Sequence, residues 1–419
     1  MFGKRKNTKE LLVGLDVGST AVRIVVGQIV ATGEKPELQI VGAAEVVSEG
    51  VHRGVVTSIE DTVSSISACI DRAERMVGTP LQRAWIGISG SHILVEQSKG
   101  VVAVSKSNGE ISEEDVERAV EAARAVATPL NYEILHVIPK NYTVDGQIGV
   151  KDPIGMTGVR LEVDTQMIQG LSAHIKNLTR AVYRTGLDIN DVVLSILATA
   201  AAVTTERQKE LGVAVVNIGG ATTSVVVYED GDILDTAVLS IGSEHITADL
   251  AIGLRTSIDV AERLKLQYGT SLVKEVAKDD RVDLSDLGAM EKELVDRRYI
   301  AEIISARAEE ILERIDKVFK KVGKSGRLPA GVILTGGGSK LHGLVETSKD
   351  VLRLPVTVGY PLNITSSTDK VNDLAFTTAI GLVRWGALYK ENDSHAFDGL
   401  MNRFKSVTKV KDWFKNLMP

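Results

Sequence analysis

One unit of an uncommon kind occurs twice in this chain. Near the start, the apolar runs Leu11–Leu15 and Val22–Val26 flank Asp16-Val17-Gly18-Ser19-Thr20. In the middle, Val213–Val216 and Val225–Tyr228 flank Asn217-Ile218-Gly219-Gly220-Ala221-Thr222-Thr223. Each reads as strand, tight small-residue turn, strand. Two such hairpins in equivalent settings predict an internal duplication, two related halves built around one site.

The turns suggest what that site holds. Small residues let backbone approach an anion closely, and the N–H groups of Gly18, Ser19 and Thr20 form an anion-binding concavity. Asp16, at the strand end, is placed to hold a hydrated Mg²⁺, which needs only one or two carboxylates beside phosphate oxygens. An ordinary hairpin uses the same residue types, so one turn is a weak signal. A second turn offers Gly219, Gly220, Thr222 and Thr223, and two facing turns can clamp a β/γ-phosphate from both sides. A third glycine element, Leu334-Thr335-Gly336-Gly337-Gly338-Ser339, follows the buried run Gly331–Leu334. It suits the α-phosphate, the ribose or the base. Three such loops in this order predict a nucleotide site, with Mg²⁺ beside its phosphates.

Composition narrows the class. A chain of 419 residues holds roughly two to four domains. Its formal net charge of -6 does not suit a polyanion binder, so no nucleic-acid partner is expected. The single cysteine, Cys69, lies in an apolar helical context and reads as a core residue in a reducing compartment. Met1–Lys6 is charged and no long apolar run follows, so no signal peptide is expected. No run of 18 apolar residues occurs, so any membrane contact is expected to be peripheral.

Between the hairpins, Trp85–Gly90 and Ile93–Val95 read as strands, and Ser112 caps a helix to Ala127 with Asp115 at the capping-box position. Asp145-Gly146 marks a turn. The stretch from about 84 to 165 is expected to be a small α+β insertion. Beyond the second hairpin, Ile246–Leu254, Ser257–Leu266, Glu291–Val322 and Asp373–Trp385 read as helices.

This ordered set of loops resembles the actin/Hsp70/sugar-kinase superfamily, in which two related lobes supply the phosphate hairpins and the third glycine loop serves adenosine. Ser195–Glu206 and Ala375–Gly381 match its two connecting helices at the hinge. Within it, several stretches resemble the FtsA family of actin-like bacterial division proteins. Trp85-Ile86-Gly87-Ile88-Ser89-Gly90 and Asp152-Pro153-Ile154-Gly155-Met156-Thr157-Gly158 match the ends of that family's inserted subdomain. Leu211–Gly220 matches its second hairpin, and Ala261-Glu262-Arg263-Leu264-Lys265 its helix facing the purine and ribose. The resemblance implies that Glu262 and Lys265, one helical turn apart, reach the nucleotide. An exposed ion pair is the plainer reading of those two residues alone. One departure stands out: the second hairpin usually begins with Asp, and here has Asn217. An amide can bind a metal-bound water but brings no charge and is a poor base, so weak ATPase activity at most is expected.

The implied fold is α/β, an actin-like two-lobed ATPase fold with an inserted α+β (SHS2-like) subdomain in lobe one and a C-terminal amphipathic helix. The expected division is 1–83, 166–194 and 385–390 for the first core, 84–165 for the insertion, 195–228 and 304–384 for the second core, and 229–303 for its outer part. A linker, 391–399, precedes a terminal segment, 400–419.

In that segment Leu400, Phe404, Val407, Trp413, Phe414 and Leu417 lie on or beside one apolar stripe, flanked by Lys405, Lys409 and Lys415. A helix over it is about 28 Å long. It is too charged to cross a bilayer and suits the interface with anionic lipid. A terminal helix packed on the core is the alternative. The FtsA resemblance implies such a membrane anchor, polymerisation with copies of itself, and FtsZ as partner through about 229–303. It also implies later division proteins as further partners, and a place on the cytoplasmic face of the inner membrane at the septum. Two readings compete: a pilus-assembly relative of the PilM kind, and a sugar- or acetate-kinase-like phosphotransferase. Asn217 argues against the kinase, and no β-rich peptide-binding domain follows Trp385 to suggest an Hsp70 chaperone.

Overall fold

The structure is a computed structural model and describes residues 11–32, 35–125 and 129–393. Its centre is two sheets of the same plan. In the first, Lys35–Val47, Ala21–Thr32 and Leu11–Val17 run antiparallel in succession. Leu11–Val17 then pairs in parallel with Arg83–Ile88, which pairs in parallel with Asp188–Leu194. In the second, Asp232–Leu239, Thr223–Glu229 and Val213–Ile218 repeat the antiparallel run. Val332–Thr335 and Val356–Val358 follow in parallel. The predicted duplication is therefore visible strand by strand.

The strands form where the sequence places β-branched runs. Val213–Val216 and Val225–Val227 are buried on both faces, as expected of central strands covered by helices. Two connecting helices, Ser195–Val203 and Thr377–Asp393, run between the lobes. Gly381 brings them together, since a Cβ there would stand 2.2 Å from the Ala198 carbonyl oxygen; Gly14 of the strand Leu11–Val17 lets that strand approach the Ala379 carbonyl equally closely. The first helix ends at Val203, and Thr205 caps the separate helix Glu206–Leu211. Cys69 is buried in the first lobe, and burial pushes its thiol up to about 12, as befits a core residue.

The insertion differs from expectation at its start. Arg83–Ile88 belongs to the first sheet, so the insertion begins after it and not at 84. Its own sheet orders Ile93–Ala103, Arg160–Leu171, Tyr132–Val144 and Gln147–Val150. The strand Arg160–Leu171 runs past the expected end at 165. One face is covered by the helix Glu113–Arg124, whose Ser112 cap and Asp115 form the predicted capping box. The insertion also touches lobe two: Lys140 Nζ donates to the Leu234 carbonyl at 2.8 Å, and Lys151 pairs with Asp232.

In lobe two the long helix is Arg297–Lys321, shorter than the expected Glu291–Val322. Leu294–Asp296 instead pairs with Arg281–Asp283 as a short ribbon, and Asp296 caps the helix. The helix crosses position 303, the expected subdomain boundary, without a break. Thr377–Asp393 likewise continues into the expected linker. The terminal segment 400–419, with the stripe from Leu400 to Leu417, lies outside the described residues. Among the described residues no helix is long and apolar enough to cross a membrane.

Candidate functional site

The two hairpin turns face one another across the cleft between the lobes. They are built alike: Gly18 N–H donates to the Ala21 carbonyl at 3.1 Å, and Gly219 N–H to that of Thr222 at 2.8 Å. Asp16 and Asn217 each stand one residue before the end of the strand leading into the turn. Asp16, Gly18, Ser19 and Thr20 from lobe one line the cleft together with Asn217, Gly219, Gly220 and Thr222 from lobe two. Gly336 and Gly337, from the third glycine turn, complete it.

The backbone there leaves no room for larger side chains. A Cβ on Gly220 would stand 2.1 Å from Thr20 Oγ1, and one on Gly336 (φ +88°) 2.1 Å from Asn217 Oδ1. These cradles of bare backbone and hydroxyls suit a phosphate chain, and the oxygen donors suit a hard cation such as Mg²⁺.

The electrostatics of the two turns differ. Asp16 pairs across its hairpin with Arg23, and Asn217 with Ser224. Burial pushes the Asp16 carboxyl up to about 6, with the Arg23 charge pulling the other way. Arg23 is itself held by Glu45 at 2.6 Å and lies 5.7 Å over the Phe376 ring. Asn217 Nδ2 donates to Thr378 Oγ1 at 2.8 Å, and Thr378 shares a hydrogen bond with Thr199 at 3.1 Å. The amide is thus tied to both connecting helices.

Some predicted residues lie elsewhere. Thr223 is fully buried and its hydroxyl donates to the Ile241 carbonyl, away from the cleft. Gly338 is buried behind the third turn, where a Cβ would meet Ile218 at 2.6 Å. Glu262 and Lys265 form an ion pair at 2.7 Å, and Lys265 Nζ also donates to Thr247 Oγ1 at 2.8 Å. That trio joins two helices of lobe two and is absent from the lining of the turn-to-turn cleft.

Sequence reasoning missed Arg23, Ser89, Ser195, Thr378 and Glu244. Ser89 and Ser224 hydroxyls meet across the lobes at 3.1 Å, and Thr20 Oγ1 donates to Glu244 Oε1 at 2.8 Å. For Arg23 a signal existed, since it faces Asp16 in any hairpin with this turn. For Glu244 none did, because 224 residues separate it from Thr20.

Comparison with known proteins gives the lineage. Residues 214–381 match the family model described as cell division protein FtsA, and residues 90–169 match the SHS2 domain inserted in FtsA. The cell division protein FtsA of Bacillus subtilis is 39% identical over 379 residues, 90% of this chain and 84% of that protein. That of Pseudomonas aeruginosa is 36% identical over 384 residues, covering 92% and 91%. Among solved structures, a PilM-PilN type IV pilus biogenesis complex aligns with a TM-score of 0.63 at 17% identity, over 90% of this chain and 98% of that one. MreB5 of Spiroplasma citri bound to ADP aligns at 0.53 and 12%, over 92% and 99%. These likenesses show the actin-like fold. With identities above 30% over nearly its whole length, the chain belongs to the FtsA family of cell division proteins.

Proposed function

We propose that the cleft binds ATP with Mg²⁺ and that the bound nucleotide fixes the relative orientation of the two lobes. The observation that carries this reading is the pair of equivalent turns facing each other across one cleft. Gly18, Ser19 and Thr20 would hold the phosphates from one side, and Gly219, Gly220 and Thr222 from the other. The third turn, at Gly336 and Gly337, would meet the rest of the nucleotide. Asp16, and Asn217 through water, would hold the cation, whose charge offsets that of the phosphates. Glu262 and Lys265 would receive the adenosine only by exchanging their present partners. With a neutral amide at 217, turnover is slow, because no side chain at that position takes a proton from water.

On this reading the protein is a scaffold. Protomers polymerise in an actin-like manner, hold FtsZ filaments through the outer part of lobe two, and engage later division proteins. The terminal segment lies in the cytoplasmic face of the membrane at the septum through Leu400, Phe404, Val407, Trp413, Phe414 and Leu417. Lys405, Lys409 and Lys415 meet anionic lipid. Co-sedimentation of FtsZ with this chain on anionic vesicles tests the scaffold. FtsZ pelleting that requires both the chain and Mg-ATP is expected; FtsZ that stays in the supernatant rejects it.

A further inference from the structure

The turns that would cradle a phosphate already hold an anion of the protein's own. Thr20, on the lobe-one turn, donates its hydroxyl to Glu244 in the first turn of the lobe-two helix Ser243–Gly253. The backbone of that glutamate is fixed. Ser243 N–H donates to the Gly219 carbonyl at 2.9 Å and Glu244 N–H to that of Gly220 at 2.8 Å. The helix start is therefore stitched to the second turn, while the Glu244 side chain reaches across to the first. Gly220 is what lets them meet, since a Cβ there would stand 2.5 Å from Glu244 Oε1 as well as against Thr20.

We propose that Glu244 is an anionic latch joining the two lobes at Thr20, which the outermost phosphate of a nucleotide must displace. The proposal rests on the reading of the cleft as a nucleotide site. A carboxylate and a phosphate cannot both take the Thr20 hydroxyl, and like charges placed side by side repel. The latch lies where the two turns meet, so it opposes the phosphate that reaches furthest between them. A triphosphate would reach Thr20 and displace it, and a shorter diphosphate would leave it in place. Glu244 is in this sense a residue that sets specificity against bound length and ties the joining of the lobes to ligand exchange.

Two variants of the full chain separate charge from latch. Glu244→Gln keeps an acceptor for Thr20 and loses the charge, so Mg-ATP affinity by calorimetry rises about tenfold while Mg-ADP affinity changes less than about twofold. Glu244→Ala removes the bond, so amide hydrogen exchange over residues 16–22 and 243–248 quickens without nucleotide. Weaker ATP binding by Glu244→Gln would make the carboxylate a ligand-holding group and overturn the proposal, as would equal shifts for ATP and ADP. Unchanged exchange in Glu244→Ala would overturn the latch. If the unaltered chain takes up no ATP, the nucleotide reading fails by itself, and the exchange measurement still decides whether Glu244 joins the lobes.

Discussion

Asp16 and Asn217 occupy the same place in two equivalent hairpins, and only one of them is charged. The difference extends to their partners, Arg23 beside the acid and Ser224 beside the amide. Lobe one thus supplies a carboxyl, and lobe two a neutral amide anchored to a connecting helix through Thr378. Asn217→Asp would restore an acid at the lobe-two turn. Phosphate release from Mg-ATP is expected to rise by about 10²-fold, the usual contribution of a placed general base. Turnover unchanged by the substitution would mean that position 217 does not limit hydrolysis.

The hinge gives a prediction in which two effects oppose. Gly to Ala inside a helix ordinarily stabilises by about 1 kcal/mol. At Gly381 the new Cβ meets the Ala198 carbonyl at 2.2 Å, backbone that cannot turn aside. Overpacking of this kind costs about 1–3 kcal/mol, so Gly381→Ala should lower stability in urea denaturation. A gain would show that the connecting helices separate freely.

The insertion should carry an acid-sensitive contribution. The Asp115 carboxylate is fully buried; that burial favours the neutral acid. Hydrogen bonds from Ser112 N–H at 2.9 Å, Ser112 Oγ at 2.7 Å and Ser105 N–H at 3.0 Å, with the Arg118 guanidinium, outweigh it. The carboxyl is held well below its usual range. A carboxyl depressed in the folded state contributes fully above its unfolded value of about 3.9 and loses that contribution as pH falls toward the folded value. The melting-temperature gap between the unaltered chain and Asp115→Asn should therefore be widest near neutrality and close below about pH 4. A gap constant with pH would remove the electrostatic account.

Membrane attachment is assigned to the segment 400–419 from sequence alone. Trp413→Glu places a charge on its apolar side and should abolish pelleting with anionic vesicles, while a neutral-lipid control shows how much the lysines contribute. Pelleting that persists unchanged rejects the anchor.

Local signals carried the sequence reading, and its gaps follow from that. The hairpins were legible because β-branched runs end in small-residue turns, and the Ser112–Asp115 capping box because it spans three residues. Arg83–Ile88 was assigned to the insertion because an apolar run does not say which sheet it joins. Leu294–Asp296 fitted a helical stripe until pairing with Arg281–Asp283 claimed it. Thr223 looked like its neighbour Thr222, yet alternation along the strand turns its hydroxyl toward Ile241. The contact of Thr20 with Glu244 joins residues of different lobes 224 positions apart, which no local pattern encodes.

Titration calorimetry of the folded chain with ATP and magnesium tests most directly whether the two turns grip one nucleotide. Saturable uptake of one ATP per chain, lost in Asp16→Ala and weakened by Gly220→Val, is the expected result. No heat of binding from a chain shown by circular dichroism to be folded would contradict the assignment of the cleft.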